Sequence, residues 1–234
     1  MLTTPYASAL IVGAGPGLGA SLARSFVREA GMRVIVAARG RDRLKAIAQE
    51  TGAGVMTCDS ADADAVAALF EAATEQLGGA PEVVVYNASQ RVRGPFVEVD
   101  PVAVARAISV TAYGAFLVAQ QAARRMLPKG KGAILLTGAS AGIKGYSQSA
   151  AFAMGKFALR GLAQSMAREL MPQGIHIGHI VVDGGIRPPG DVAGNIKDDL
   201  LDPDAIASTY LHLLAQPRNA WSWEIEVRPW VERF

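Results

Sequence analysis

The stretch Val12-Gly13-Ala14-Gly15-Pro16-Gly17-Leu18-Gly19 decides how the rest of the chain reads. An apolar run, Ala9–Val12 (ALIV), leads into it, and behind it, over 18–30, Leu18, Leu22, Phe26 and the Ala20/Ala23 pair recur at helical spacing. The glycines fall at Gly13, Gly17 and Gly19, a G-x-x-x-G-x-G pattern rather than G-x-G-x-x-G. Glycines permit a tight turn and the close approach of a pyrophosphate. A helix opening directly behind them offers unpaired N–H groups and the positive end of its dipole. A glycine cluster alone is often only a turn; the strand–turn–helix setting makes it a phosphate cradle. Gly13, Pro16, Gly17, Leu18 and Gly19 are therefore candidate cofactor-binding residues.

Outward from this motif the chain alternates short β-branched runs with longer helical patterns. Arg33–Ala37, Gly54–Thr57, Glu82–Tyr86, Ala133–Thr137 and Ile175–Val182 read as further strands, and a seventh falls around Trp223–Val227. They are continuously apolar rather than alternating, as strands covered on both faces are. Helical segments are predicted over 41–50, 61–78, 101–127, 149–171 and 203–215. This alternation predicts an α/β fold, a Rossmann-type doubly wound parallel sheet of about seven strands, in one nucleotide-binding domain over 1–234. Gly184–Asp202, rich in Pro, Gly and Asp, is the longest non-periodic stretch and reads as a loop beside the site.

Composition narrows the function classes. Half of the 234 residues are apolar and 19% are charged, which excludes a disordered chain. The 23 Lys and Arg against 21 Asp and Glu leave a net charge of +2, without the basic stripe of a nucleic-acid binder. A single cysteine, Cys58, excludes an intrachain disulfide framework, and three histidines leave little for a metal centre. His176 and His179 read as a strand pair rather than as ligands. The uncharged stretch 2–23 lacks a preceding cation and is broken by Pro16 and its glycines, so it is not a secretion signal. No uninterrupted apolar run is long enough to span a membrane. The expectation is a soluble, cytoplasmic protein with a small-molecule substrate and neither membrane nor nucleic acid as partner.

The second strand selects the nucleotide. It ends Val36-Ala37-Ala38-Arg39, where NAD-selective folds carry an acidic side chain for the ribose 2′-hydroxyl. The Arg39 guanidinium instead suits a 2′-phosphate through forked, charge-assisted hydrogen bonds. The expected cofactor is NADP(H), with NAD(H) the weaker ligand; Arg41 and Arg43 fit the start of a solvated helix equally well.

Over its whole length the chain resembles the short-chain dehydrogenase/reductase family. The resemblance rests on Gly13/Gly17/Gly19, Asp59, Tyr86-Asn87-Ala88-Ser89, Thr137-Gly138-Ala139-Ser140-Ala141-Gly142, Phe152-Ala153-Met154-Gly155-Lys156 and 162–170 (LAQSMAREL), in that order. It implies a nicotinamide cofactor and a homodimer or homotetramer built through the long helices. By carry-over Asp59, with Ser60, meets the adenine, Asn87-Ala88 line the adenosine ribose, and Gly184 and Ile186 lie at the nicotinamide amide. The family's Pro-Gly before that point is Asp183-Gly184 here.

The proton-transfer residues depart from the pattern. The family's tyrosine, four residues before its lysine, falls on Phe152, and its serine falls on Ala139, with Ser140 one step later. The helix residue that is commonly Asn falls on Thr111, and only Lys156 remains. A phenol beside an ammonium can shuttle a proton; Phe cannot. Lys156 and Ser140 are the candidate catalytic residues. Lys156 also serves as a cofactor ligand through the ribose hydroxyls, while Tyr146 and Tyr113 are possible replacement phenols. Three readings follow: an NADP(H)-dependent oxidoreductase with an altered proton route, a catalytically inactive nucleotide-binding subunit or sensor, and a structural partner. The sequence favours the first.

Overall fold

The structure, a computed structural model, describes residues 4–190 and 199–232. Strands β1 (Ser8–Val12), β2 (Arg33–Ala38), β3 (Gly54–Thr57), β4 (Val83–Tyr86), β5 (Gly132–Thr137), β6 (Ile175–Val182) and β7 (Glu224–Val227) form one sheet. Its order is β3-β2-β1-β4-β5-β6-β7, and every neighbouring pair is parallel. The helices are α1 (Leu18–Arg28), α2 (Arg41–Thr51), α3 (Ala63–Leu77), α4 (Pro101–Ile108), α5 (Gly114–Met126), α6 (Ala150–Leu170) and α7 (Pro203–Leu214). Ser109–Tyr113, between α4 and α5, forms a π-helical turn that the continuous pattern over 101–127 did not announce.

The continuous apolar strands are explained by burial on both faces. Ile11, Val34, Val36, Val83, Val85 and Leu135 join the core beneath α1, α2 and α7. Their neighbours Leu10, Val12, Ile35, Val84, Ile134 and Leu136 join the core beneath α3, α5 and α6. Each such side chain contributes roughly 1.5–3 kcal/mol by leaving water. By length and composition Pro101–Lys129 could cross a membrane, although cations interrupt its apolar run. Its inner face, with Ala115, Val118, Ala119, Ala122 and Met126, is packed into the sheet.

The strand order turns around between β1 and β4, and the chain leaves all strands at one edge of the sheet. That opens a crevice at the carboxyl ends of β1, β4, β5 and β6. Asp caps close α3, α4 and α7: Asp62, Asp100 and Asp202 each accept backbone N–H bonds from the first turn. At α1 and α2 the capping positions are Gly17 and Gly40, which bring no side chain to the first turn.

The two strand histidines are fully buried, each with its own partners. His176 stacks on Trp221 with ring centroids 4.6 Å apart, and its Nε2 lies 3.0 Å from the Ser222 carbonyl. His179 Nδ1 lies 2.9 Å from Glu224, whose carboxylate also receives two bonds from Arg160 on α6, at 2.8 and 2.7 Å. Burial pushes both imidazoles below 6.5, outweighing the bonds that favour the charged form. The unfolded chain therefore binds more protons than the fold as pH drops through 6.5. Stability is complete above that value and declines below it, by up to about 1.4 kcal/mol per pH unit for each histidine. Urea titrations between pH 7.5 and 5.5 should show this decline, and His176→Phe, which keeps the aromatic stack, should make it shallower.

Candidate active site

The β1–α1 turn sits where the crevice is deepest. Gly13 has φ +87° and donates its N–H to the Ala37 carbonyl at 2.8 Å. A Cβ at Gly13 would fall on the backbone of Ala88, and one at Gly19 would lie 2.7 Å from Ala14 Cα. These two glycines exist for packing. Gly15 and Gly17 differ: a Cβ at either would have nothing within 4 Å, because both face the open crevice. Asn87 closes the turn from β4, donating Nδ2–H to the Gly13 carbonyl at 3.0 Å.

The crevice, about 860 Å³, is lined by Gly13, Gly15, Gly17, Leu18 and Gly19 at one end and by Gly184 and Ile186 at another. Asn87, Ser140 and Lys156 also line it, so nine of the residues chosen from sequence converge there. Pro16 and Arg39 lie exposed, and Ala88 packs under Gly13. Asp59 is ion-paired with Arg106 and accepts the Ala61 N–H at 3.0 Å. Burial would raise its carboxyl, but those bonds and the charges of Arg106 and Arg39 hold it below the usual range. The Ser60 hydroxyl is buried against Tyr86, at 3.0 Å from its phenolic oxygen. Asp59 and Ser60 thus sit beside the β2–β3 end rather than in the crevice wall.

At the other end, Lys156 is buried on α6 and donates from Nζ to the Thr137 carbonyl at 2.6 Å. Burial, reinforced by the charge of Arg91, pushes its ammonium down to about 7. One turn earlier Phe152 forms a small apolar cluster with Ala139 and Ala141. The positions where the resemblance implies hydroxyls are thus an alanine and a phenyl ring of one cluster. The Arg91 guanidinium lies over that ring, 4.3 Å from its centroid, and Lys156 Nζ is 5.7 Å from the same point. Thr111, in the π turn, is buried and accepts the Gln90 N–H at 3.2 Å.

Hydroxyls are present on the same wall at shifted positions. Ser140 opens a short 3-10 turn, and Tyr146 donates its phenolic O–H to Ser140 Oγ at 2.9 Å. Both line the crevice, and Tyr146 is 44% exposed. The turn over 140–142 brings Ser140 to the crevice although it stands one residue beyond the end-of-strand position at Ala139. Gln148, with φ +57°, ties this loop to the opposite one by accepting the Gly94 N–H at 3.2 Å.

Sequence reading passed over Arg91, Arg93, Thr137, Gln148 and Asp183 as crevice residues. The signal for the arginines was present: two cations alternating in a loop that follows a strand end. Within the 184–202 stretch Ile186 and Leu201 form a β-bridge, and Arg187 is paired with Asp202. Residues 191–198 of that stretch lie outside the described residues.

Comparison with known proteins follows from this geometry. The family model for short chain dehydrogenase matches residues 7–193. A cyclic-di-GMP-binding biofilm dispersal mediator protein of Escherichia coli K12 is 34% identical over 193 residues, covering 82% of this chain and 78% of the relative. The crystal structure of a short-chain dehydrogenase from Rhodopseudomonas palustris superposes with a TM-score of 0.79 at 33% identity, covering 95% of this chain and 99% of that one. A metagenomic short-chain oxidoreductase solved in complex with NADP gives a TM-score of 0.82 at 27% identity, covering 97% and 98%.

The two kinds of glycine should separate on mutation. Gly13→Ala forces a side chain into the Ala88 backbone at positive φ and should cost about 3 kcal/mol or more. Gly15→Ala should stay within about 1 kcal/mol of the parent. Equilibrium denaturation of both variants checks this.

Proposed function

The chain belongs to the short chain dehydrogenase family, and from that premise we propose that it is an NADP(H)-dependent oxidoreductase acting on a small molecule. The observation that carries this is the open cradle at Gly15 and Gly17, beside a helix with no side-chain cap, which fits a pyrophosphate. Gly13, Leu18, Gly19 and Asn87 complete the cradle. Lys156 would bind the ribose hydroxyls next to the nicotinamide, with Gly184 and Ile186 flanking it. Asp59, Ser60 and Ala88 would meet the adenosine end. NADP(H) would supply the hydride. Arg39 is exposed and makes no salt bridge among the described residues, which supports a 2′-phosphate ligand. The NADP complex of the metagenomic relative supports the same choice.

The proton route is atypical in this reading. Phe152 carries no exchangeable proton. Tyr146 donates to Ser140 Oγ, which leaves the serine hydrogen free to face a substrate, and the exposed phenol can recover a proton from water. Exposed apolar residues on the long helices, Val102, Phe116, Met154 and Phe157, support a homodimer or homotetramer. The apolar Ala139–Phe152 pair also favours a second reading, a catalytically silent nucleotide-binding subunit or sensor. The Escherichia coli relative, named for binding a cyclic dinucleotide, points the same way.

Fluorescence titration of NADPH and NADH tests the cofactor. NADPH should bind more tightly, and Arg39→Ala should weaken it by roughly 1.5–3 kcal/mol while leaving NADH nearly unchanged. Equal losses for both nucleotides would refute the 2′-phosphate contact.

Turnover separates enzyme from sensor. The parent should reduce simple diketones weakly, with that residue lost in Tyr146→Phe. Phe152→Tyr with Ala139→Ser should raise turnover by about 10²-fold or more and impose a new ionisation on the pH profile. Tight NADPH binding with no turnover in either protein, together with saturable binding of cyclic di-GMP, would establish the sensor reading.

A further inference from the structure

Arg91 and Arg93 both line the crevice, at the end where Phe152, Ala139 and Ser140 meet. Neither makes a salt bridge among the described residues, and desolvation and then the charge of Arg93 disfavour the charge on Arg91. The crevice holds two acidic side chains. Asp183 is buried and paired with Arg228 at 3.6 Å, and Glu232 makes no ion pair with either arginine. Arg91 is exposed, but its guanidinium carbon lies over the Phe152 ring, 4.3 Å from the centroid, a cation–π contact that anchors it at this wall. Ser140, Tyr146, Ser147 and Ser149 line the same crevice. Two like charges kept together without a counter-ion repel each other unless an anion joins them. Forked guanidinium donors match the paired oxygens of a carboxylate or phosphate.

We infer that this half of the crevice takes a small anionic substrate, whose carboxylate or phosphate group is held by Arg91 and Arg93 while its body lies against Phe152. This rests on the nucleotide reading only for identifying the other half as the cofactor's. The phenyl ring then has a use of its own. It carries the arginine that recognises the substrate, a task for which the lost hydroxyl is unnecessary.

The test uses three probes of one shape on the full chain: benzoate, phenyl phosphate and neutral benzamide, titrated by calorimetry with and without saturating NADPH. At least one anion should bind about tenfold or more tightly than benzamide, and the better of the two names the acidic group. In the Arg91→Met/Arg93→Met double variant the preference should fall to about twofold or less. Its circular dichroism and NADPH affinity report that the fold and cradle are intact. Equal binding of charged and neutral probes, no binding of either anion at about 10 mM, or a preference that survives the double variant overturns the inference. Failure of NADPH to bind while anion preference persists overturns the nucleotide reading instead, so the two can fail separately.

Discussion

No side chain can occupy position 13, because the backbone of Ala88 stands where its Cβ would be. That contact presses the end of β1 against the end of β4, and three hydrogen bonds hold it there. Gly13 N–H reaches the Ala37 carbonyl on β2 at 2.8 Å, Asn87 N–H reaches the Val12 carbonyl at 2.8 Å, and Asn87 Nδ2 reaches the Gly13 carbonyl at 3.0 Å. Three strand ends are thereby drawn to one point, on either side of the place where the strand order reverses. The rest of the turn has to bulge outward, which leaves Gly15 and Gly17 facing open space and the first turn of α1 without a side-chain cap. An open cradle at the helix N-terminus is what remains when the packing at Gly13 has been satisfied.

At the other end the two positions where the resemblance implies hydroxyls are apolar together. Ala139 and Phe152 belong to one small apolar cluster, with Ala141, on the crevice wall. With alanine there the cluster is apolar throughout, and the ring face is available to Arg91. The hydroxyls on this wall stand one residue along, where Tyr146 donates to Ser140 Oγ. The two positions thus carry side chains that suit each other in one apolar cluster.

Much of this was legible in the chain itself. The strand runs and the glycine turn specify the parallel sheet because burial on two faces demands continuous apolar strands, and Arg33–Ala37 or Ile175–Val182 admit little else. Helix ends at Asp62, Asp100 and Asp202 follow from their side chains. The π turn at 109–113 was not legible, since an extra residue in a helical turn leaves the apolar spacing almost unchanged. Nor was the partnership of Ser140 with Tyr146. It depends on a 3-10 turn over 140–142 and on the path of the loop that follows, where no periodicity guides a reading. Arg91 was hidden for a related reason. A cation in a loop reads as solvated until the ring beneath it, sixty-one positions later in the chain, is seen.

Lys156 joins the two halves of the crevice. It is an ammonium buried without a carboxylate, bonded to the Thr137 carbonyl, and its pKa is held near 7 by burial and by Arg91. Near neutral pH its charge is therefore finely balanced. An anion seated on Arg91 would cancel the repulsion that Lys156 feels and raise its pKa, and nucleotide phosphates nearby would act in the same direction. Linkage makes the effect reciprocal: whatever favours the charged lysine is itself bound more tightly when the lysine is charged. In a site that keeps the lysine but not the phenol, the proton on Nζ thus belongs to binding. It is the quantity through which a ligand in one half of the crevice can be felt in the other.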